Sequence, residues 1–200
     1  MANNSWGTPP HFIESARKVM GSIDVDPASN DEAQYLVQAG TYYTEENSSF
    51  GNVWLGNVWL NPPYGRGLAA PFINEIVLQF KDGYATQAVV LLNSVYSSAW
   101  WKESEIAQHC SAICLPDHRI AFINPDTGKP EKGNDREQII TYLGDNPTEF
   151  CEEFNQYGLC ALPYRPVTGC KTCSKFSSID NYKCNKCVDQ MLKDELVTFM

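Results

Sequence analysis

The chain has 200 residues, 43% of them hydrophobic, with a formal net charge of −9. That suffices for one α/β domain with a substantial core and a small appendage, while no apolar run approaches the roughly 18 residues of a membrane span. The acidic balance excludes a protein that grips nucleic acid by charge alone, and the lack of a basic then apolar leader makes a cytoplasmic location the expectation.

Trp6-Gly7-Thr8-Pro9-Pro10 leads into Phe12, Ile13, Ala16, Val19 and Met20, which fall on one helical face. Thr8 reads as the N-cap and Pro9 as the first helical residue, with Gly21 as the stop. Ile23-Asp24-Val25-Asp26 alternates apolar and acidic residues and breaks at Pro27, as a short strand would. Ser29 and Glu32 then have capping-box spacing for a second helix carrying Ala33, Leu36, Val37 and Ala39, closed by Gly40. The strand-to-helix turn Asp26-Pro27-Ala28-Ser29 is a first candidate site. Asp26 offers a carboxylate to an ammonium, and backbone N–H groups at the helix start suit a carboxylate. An amino-acid moiety carries both groups.

Gly51-Asn52-Val53-Trp54-Leu55 recurs at once as Gly56-Asn57-Val58-Trp59-Leu60. A strand has period two, so a shift of five residues reverses the facing of each repeated side chain. The second copy is therefore expected to form the strand and the first to loop or extend it. That strand runs into Asn61-Pro62-Pro63-Tyr64, where each proline fixes its own φ and holds the preceding residue extended. The side-chain oxygen of Asn61 and the main-chain oxygen of Pro62 are acceptors, matched to the two hydrogens of an exocyclic amine. Accepting both draws the nitrogen lone pair out of conjugation, and positioning with aligned dipoles then serves attack on a sulfonium methyl without a strong base. Tyr64 offers a ring for stacking on a base that has left its duplex.

Pro71 is expected to begin a helix with Phe72, Ile73, Ile76, Val77 and Phe80 inward and Gly83 at its end. Residues 88–92 are a continuous apolar run suited to the buried middle of a parallel sheet. A helix over 100–108 and strands over 111–115, 119–123 and 138–143 follow, with a loop at 124–130. Cys110, Cys114, Cys151 and Cys160 read as core residues, and the three histidines are too scattered to form a catalytic set. Alternating strands and helices predict an α/β fold with a doubly wound, Rossmann-like sheet, and ligands at the strands' carboxyl ends. Domain boundaries are expected at 1–163 and 164–200.

In the second segment, Cys170-x-x-Cys173 and Cys184-x-x-Cys187 form two knuckles whose four thiolates suit a structural zinc ion. So few apolar residues lie between 168 and 187 that this piece needs such a staple to fold. From Tyr164 onward six basic residues face four acidic ones, a net of +2 against −11 for the rest. DNA contact or docking of a protein partner through this module both fit that balance.

Thr-Pro before a helix, Asp-Pro after a strand and then Asn-Pro-Pro-Tyr, in this order, resemble the phage-type (Dam-like) DNA N6-adenine methyltransferases. The resemblance covers roughly 6–143 and includes Arg119-Ile120-Ala121-Phe122. It implies S-adenosylmethionine as cofactor and adenine in DNA as substrate. It also implies Asn61, Pro62, Pro63 and Tyr64 as the catalytic turn, and Thr8, Pro9, Asp26 and Pro27, with Ala28 and Ser29, around the cofactor. The Gly-rich loop of broader methyltransferases is replaced by Ala28-Ser29-Asn30. Glu45 and Glu46 are the candidates for a ribose contact, and Arg66, Lys129, Lys132 and Arg136 for base reading. Cytosine N4 and a protein glutamine amide are alternative acceptors for the same motif, and a non-catalytic zinc-bearing adaptor is the non-enzymatic alternative.

Overall fold

The computed structural model describes residues 6–64, 67–93 and 99–163, without the side chains of 99 and 100. All lie within the compact unit Met1–Pro163. The four cysteines expected to hold zinc, the linker at 163–169 beyond Pro163, and Arg66 lie outside the described residues.

Thirteen elements follow one another in the described chain: α1 (Pro10–Met20), β1 (Val25–Asp26), α2 (Asp31–Val37), β2 (Thr41–Tyr42), β3 (Gly56–Leu60), α3 (Ala69–Lys81), β4 (Ala85–Asn93), α4 (Ala99–Glu103), α5 (Ile106–His109), β5 (Ala112–Pro116), β6 (Gln138–Leu143), α6 (Pro147–Phe154) and β7 (Gly158–Ala161). The strands form one sheet in the order β2-β1-β3-β4-β6-β5-β7. β1 to β4 are mutually parallel where they pair, whereas β6 runs antiparallel to both β4 and β5, and β7 antiparallel to β5. The fold is thus α/β and Rossmann-like with a parallel core, but the sheet is mixed rather than wholly parallel. A parallel return needs a crossover, usually helical. Residues 117–137 supply no helix, and the chain turns back between β4 and β5 instead.

Period-two alternation distributes the core over both faces of the sheet. Trp59, Val89, Leu91, Ile140 and Tyr142 pack with the apolar stripe of α1 and with Phe150 and Phe154 of α6. Val58, Leu60, Val90, Leu92 and Ile139 pack on the other side with Ile73, Ile76 and Val77 of α3 and Ile106 of α5. Burial of each such side chain contributes about 1.5–3 kcal/mol. Val58, Trp59 and Leu60 therefore anchor the strand that carries the Asn-Pro-Pro-Tyr turn.

The repeated pentapeptide behaves as its period demands. The second copy is β3 and the first is a loop. Trp54 lies in one core cluster and Trp59 in the opposite one. Trp54 is fully buried, its backbone N–H donating to Gln79 Oε1 (3.0 Å) and its indole N–H to the Ser49 carbonyl (3.2 Å). Position 56 requires glycine: its φ is +94° and an added Cβ would meet the Asp24 carboxylate, which holds the Asn57 N–H.

Several expected boundaries move. α1 starts at Pro10, with Pro9 before it and no side-chain cap, so Thr8 does not cap the helix. The N-cap of α2 is Asn30, accepting from the Ala33 N–H (2.8 Å), and the Ser29–Glu32 capping box does not form. The expected helix over 100–108 divides into α4 and α5 at Glu105, which adopts a left-handed conformation (φ 60°). Residues 119–123 form no strand. Ile123 bridges both Gly7 and Pro130, so that segment pairs with the N-terminal stretch and its own following loop. β2, α6 and β7 have no counterpart in the sequence pattern, although Asn146-Pro147 is a recognisable helix start.

Candidate active site

The order of strands reverses at β1 and β3: β1 continues outward to β2, and β3 to β4 on the other side. Val25 is level with Val58 in that parallel pair, so the chain leaves both carboxyl ends side by side. Such a switch point opens a crevice between the diverging loops. Here the crevice encloses about 1340 Å³, and its walls include Asp26 to Asn30 from one loop and Asn61 to Tyr64 from the other. Thr8 and Phe122 close one side, and Phe50 and Phe72, 4.7 Å apart between ring centres, another.

Asn61 carries the most informative atom. Its amide N–H donates to Thr8 Oγ1 (3.1 Å), while its side-chain oxygen is buried and accepts no hydrogen bond from the described residues. A buried carbonyl without a donor costs about 1–3 kcal/mol. An acceptor kept in that condition on a crevice wall is ready for an N–H donor from a ligand. Pro62 behind it is buried and Pro63 half-buried. The Tyr64 hydroxyl donates to the Leu91 carbonyl (2.6 Å), burial raises its pKa, and its ring is half-buried on the crevice wall. Its hydroxyl is thus structurally engaged, and the ring is the part left to a ligand.

Asp26 is 2% exposed, and desolvation raises its carboxyl pKa from 3.8 to about 6 despite hydrogen bonds that act the other way. Those bonds come from the Ala28 N–H (3.3 Å) and Gln34 Nε2 (3.0 Å) as well as from Ser29. No cation pairs with it among the described residues. Gln34 Nε2 also donates to Ser29 Oγ (2.7 Å), and Gln34 Oε1 accepts from the Ala39 N–H (2.9 Å). The one side chain therefore ties both ends of α2 to the loop after β1. Pro27 is buried and both it and Ala28 line the crevice. The Ser29 N–H is already committed to the Tyr43 carbonyl (2.8 Å).

The structure brings together Thr8, Asp26, Pro27, Ala28, Ser29 and Asn61 to Tyr64 on one crevice. Pro9 is buried behind the wall and does not line it; its place is to set the backbone entering α1. Glu45 and Glu46 reach the rim, as do Lys132 and Arg136, whereas Lys129 stands apart from it. Sequence reasoning missed Gln34 and Ser49. Gln34 sits among the inward residues of a short amphipathic helix, which was its only signal. Ser49 lines the crevice with a buried hydroxyl that has no partner among the described residues. Among the described residues no cluster of His, Cys, Asp and Glu suits a metal ion. No described helix is long and apolar enough to cross a membrane.

A family model described as DNA N-6-adenine-methyltransferase (Dam) matches residues 1–155. A DNA N-6-adenine-methyltransferase of Escherichia phage T1 is 27% identical over 150 residues, covering 68% of this chain and 60% of its own length. A DNA N-6-adenine-methyltransferase of Haemophilus phage HP1 (strain HP1c1) is 25% identical over 137 residues, covering 68% of this chain and 75% of its own. The span matched by the family ends before the four clustered cysteines.

Proposed function

The chain belongs to the DNA N-6-adenine-methyltransferase (Dam) family, and from that premise we propose that it transfers a methyl group from S-adenosylmethionine to the N6 amine of adenine in DNA. The observation that carries this reading is the buried, unpartnered oxygen of Asn61 on the same crevice as the buried carboxylate of Asp26.

The residues present fit the cofactor. Asp26 has no cationic partner among the described residues, and an ammonium would relieve the desolvation that lifts its pKa. When bound, the cofactor supplies an electrophilic sulfonium methyl. Asn61 Oδ1 and the Pro62 carbonyl accept the two hydrogens of the target amine, localising its lone pair for in-line attack. The Tyr64 ring, fixed through its hydroxyl at Leu91, stacks on the flipped base. The nitrogen's surplus proton, made acidic by methylation, passes to solvent. Asn61 is an amide and accepts no proton, so its contribution is alignment and dipole rather than base catalysis.

Of the four cations considered for base reading, Lys132 and Arg136 are those among the described residues that reach the crevice rim, and they would meet the DNA there. For the segment after Pro163 the proposal rests on cysteine spacing alone: Cys170, Cys173, Cys184 and Cys187 bind one structural zinc, leaving a small basic module for DNA or a protein partner.

Transfer of a tritiated methyl group to unmethylated DNA, followed by nucleoside analysis, tests the reading. Label in N6-methyladenine is the expected result. Label in N4-methylcytosine or in protein alone would refute the assigned acceptor, and folded protein that binds no cofactor would refute the enzyme.

A further inference from the structure

We propose that Trp6 is a further substrate-binding residue: its indole stacks on the nucleobase of the target nucleotide at the mouth of the crevice, a second aromatic surface beside the Tyr64 ring. The inference rests on the methyltransferase reading above and extends it to a residue outside the catalytic turn.

The place of Trp6 follows from a short antiparallel pairing at its side. Gly7 and Ile123 exchange both backbone hydrogen bonds, of 3.0 and 2.7 Å, and Ile123 bridges Pro130 in turn. The Glu131 N–H donates to the Phe122 carbonyl (2.9 Å). Three extended segments thus lie side by side, and extended chain turns successive side chains to opposite faces. Trp6 and Thr8 share one face with Phe122 and Glu131, and Ile123 and Pro130 take the other. The crevice walls agree: Trp6, Thr8, Phe122 and Glu131 line it, whereas Ile123 and Pro130 do not.

On that face Thr8 touches the Asn61 amide (3.1 Å), and the proline after it holds Thr8 extended. Trp6 stands two residues back, about 6.6 Å along the strand, beside the position to which the target amine is brought. It is 39% exposed while Thr8 is 6% exposed, so this wall runs outward from the buried acceptor to the crevice mouth. The indole has no ring or hydrogen-bond partner among the described residues. Lys132 follows Glu131 on the same rim. A half-open aromatic face with a cation on one side and a buried acceptor on the other suits a nucleotide, with a π-surface for its base and a charge for its phosphate. An extruded base is held between two aromatic or apolar side chains, and Tyr64 supplies one of them.

Methylation of unmethylated duplex DNA, with titration calorimetry for the cofactor, separates stacking from packing. Trp6→Leu keeps apolar bulk but has no π-face, so kcat/KM for DNA should fall about tenfold, while the cofactor Kd stays within about twofold. Trp6→Phe should recover to within about threefold of the native chain. The salt dependence of kcat/KM should keep its slope in Trp6→Leu, since stacking releases no counterions. Tryptophan fluorescence gives a readout without turnover: duplex DNA added with S-adenosylhomocysteine should quench it in the native chain, and less so in Trp6→Phe.

Native kcat/KM in Trp6→Leu, or an equal loss in Trp6→Leu and Trp6→Phe, would overturn the stacking role. So would a flattened salt slope, a quench that Trp6→Phe leaves intact, or a cofactor Kd that rises as far as kcat/KM falls, which would move Trp6 into the cofactor site. Failure of the native chain to methylate DNA would instead overturn the methyltransferase reading, and this role with it. A native chain that methylates DNA leaves Trp6 alone at stake.

Discussion

Cofactor affinity should fall in acid, with a dependence set by one carboxyl group. Asp26 is buried, and its pKa stands at about 6 instead of 3.8 because desolvation outweighs its hydrogen bonds. An ammonium partner favours the ionised form, so binding below that pKa must also remove a proton. The penalty factor is one plus the ratio of protonated to ionised carboxyl. It is close to one at pH 8 and about tenfold at pH 5. Titration calorimetry from pH 8 to 5, repeated in buffers of different ionisation enthalpy, reads both the affinity and the proton released. Asp26→Asn should weaken binding throughout and abolish the pH dependence. The linked effect on stability has a definite sign. The native pKa lies above the unfolded one, so the folded chain holds the proton more tightly. The stability this adds is complete below pH 3.8, falls as pH rises, and is lost above about 6. At neutral pH the ionised, buried Asp26 therefore costs about 3 kcal/mol, and Asp26→Asn should raise the melting temperature measured without added cofactor. Constant affinity between pH 8 and 5 in folded protein would refute the assignment of Asp26 to the ammonium.

Asn61→Ala should reduce turnover by an amount equivalent to about 3 kcal/mol or more, while cofactor binding persists; single-turnover methyl transfer checks the first and calorimetry the second. Tyr64→Phe keeps the stacking ring but strips the Leu91 carbonyl of its 2.6 Å donor, so urea denaturation should show a loss of about 1–2 kcal/mol with a smaller effect on kcat. Gln34→Ala releases Asp26 and Ser29 together, and the cofactor Kd should rise about tenfold with kcat little changed at saturation. Replacing Cys170 and Cys173 by Ser should remove bound zinc, and elemental analysis that finds the metal content unchanged would refute the four-cysteine site.

Local patterns legible in the sequence were those enforced by local physics. Proline geometry made Asn61-Pro62-Pro63-Tyr64 a rigid acceptor-bearing turn. The stripe of Phe12, Ile13, Ala16, Val19 and Met20 marked α1, and the five-residue repeat required Trp54 and Trp59 to face opposite ways. Asp26 stood out as an acid at a strand's end. What the sequence could not express was partnership across the fold. Thr8 read as a helix cap, yet its hydroxyl serves Asn61. Ser29 and Glu32 had the spacing of a capping box, yet Asn30 caps the helix and Gln34 holds Ser29 to Asp26. The antiparallel return of β6 and the failure of 119–123 to join the sheet likewise depend on which backbone groups find each other in space. Backbone torsions and hydrophobic period are properties of neighbouring residues, so a sequence determines them directly. Which hydrogen-bond partner a polar side chain receives depends on residues brought together from far along the chain, and only the tertiary structure decides it.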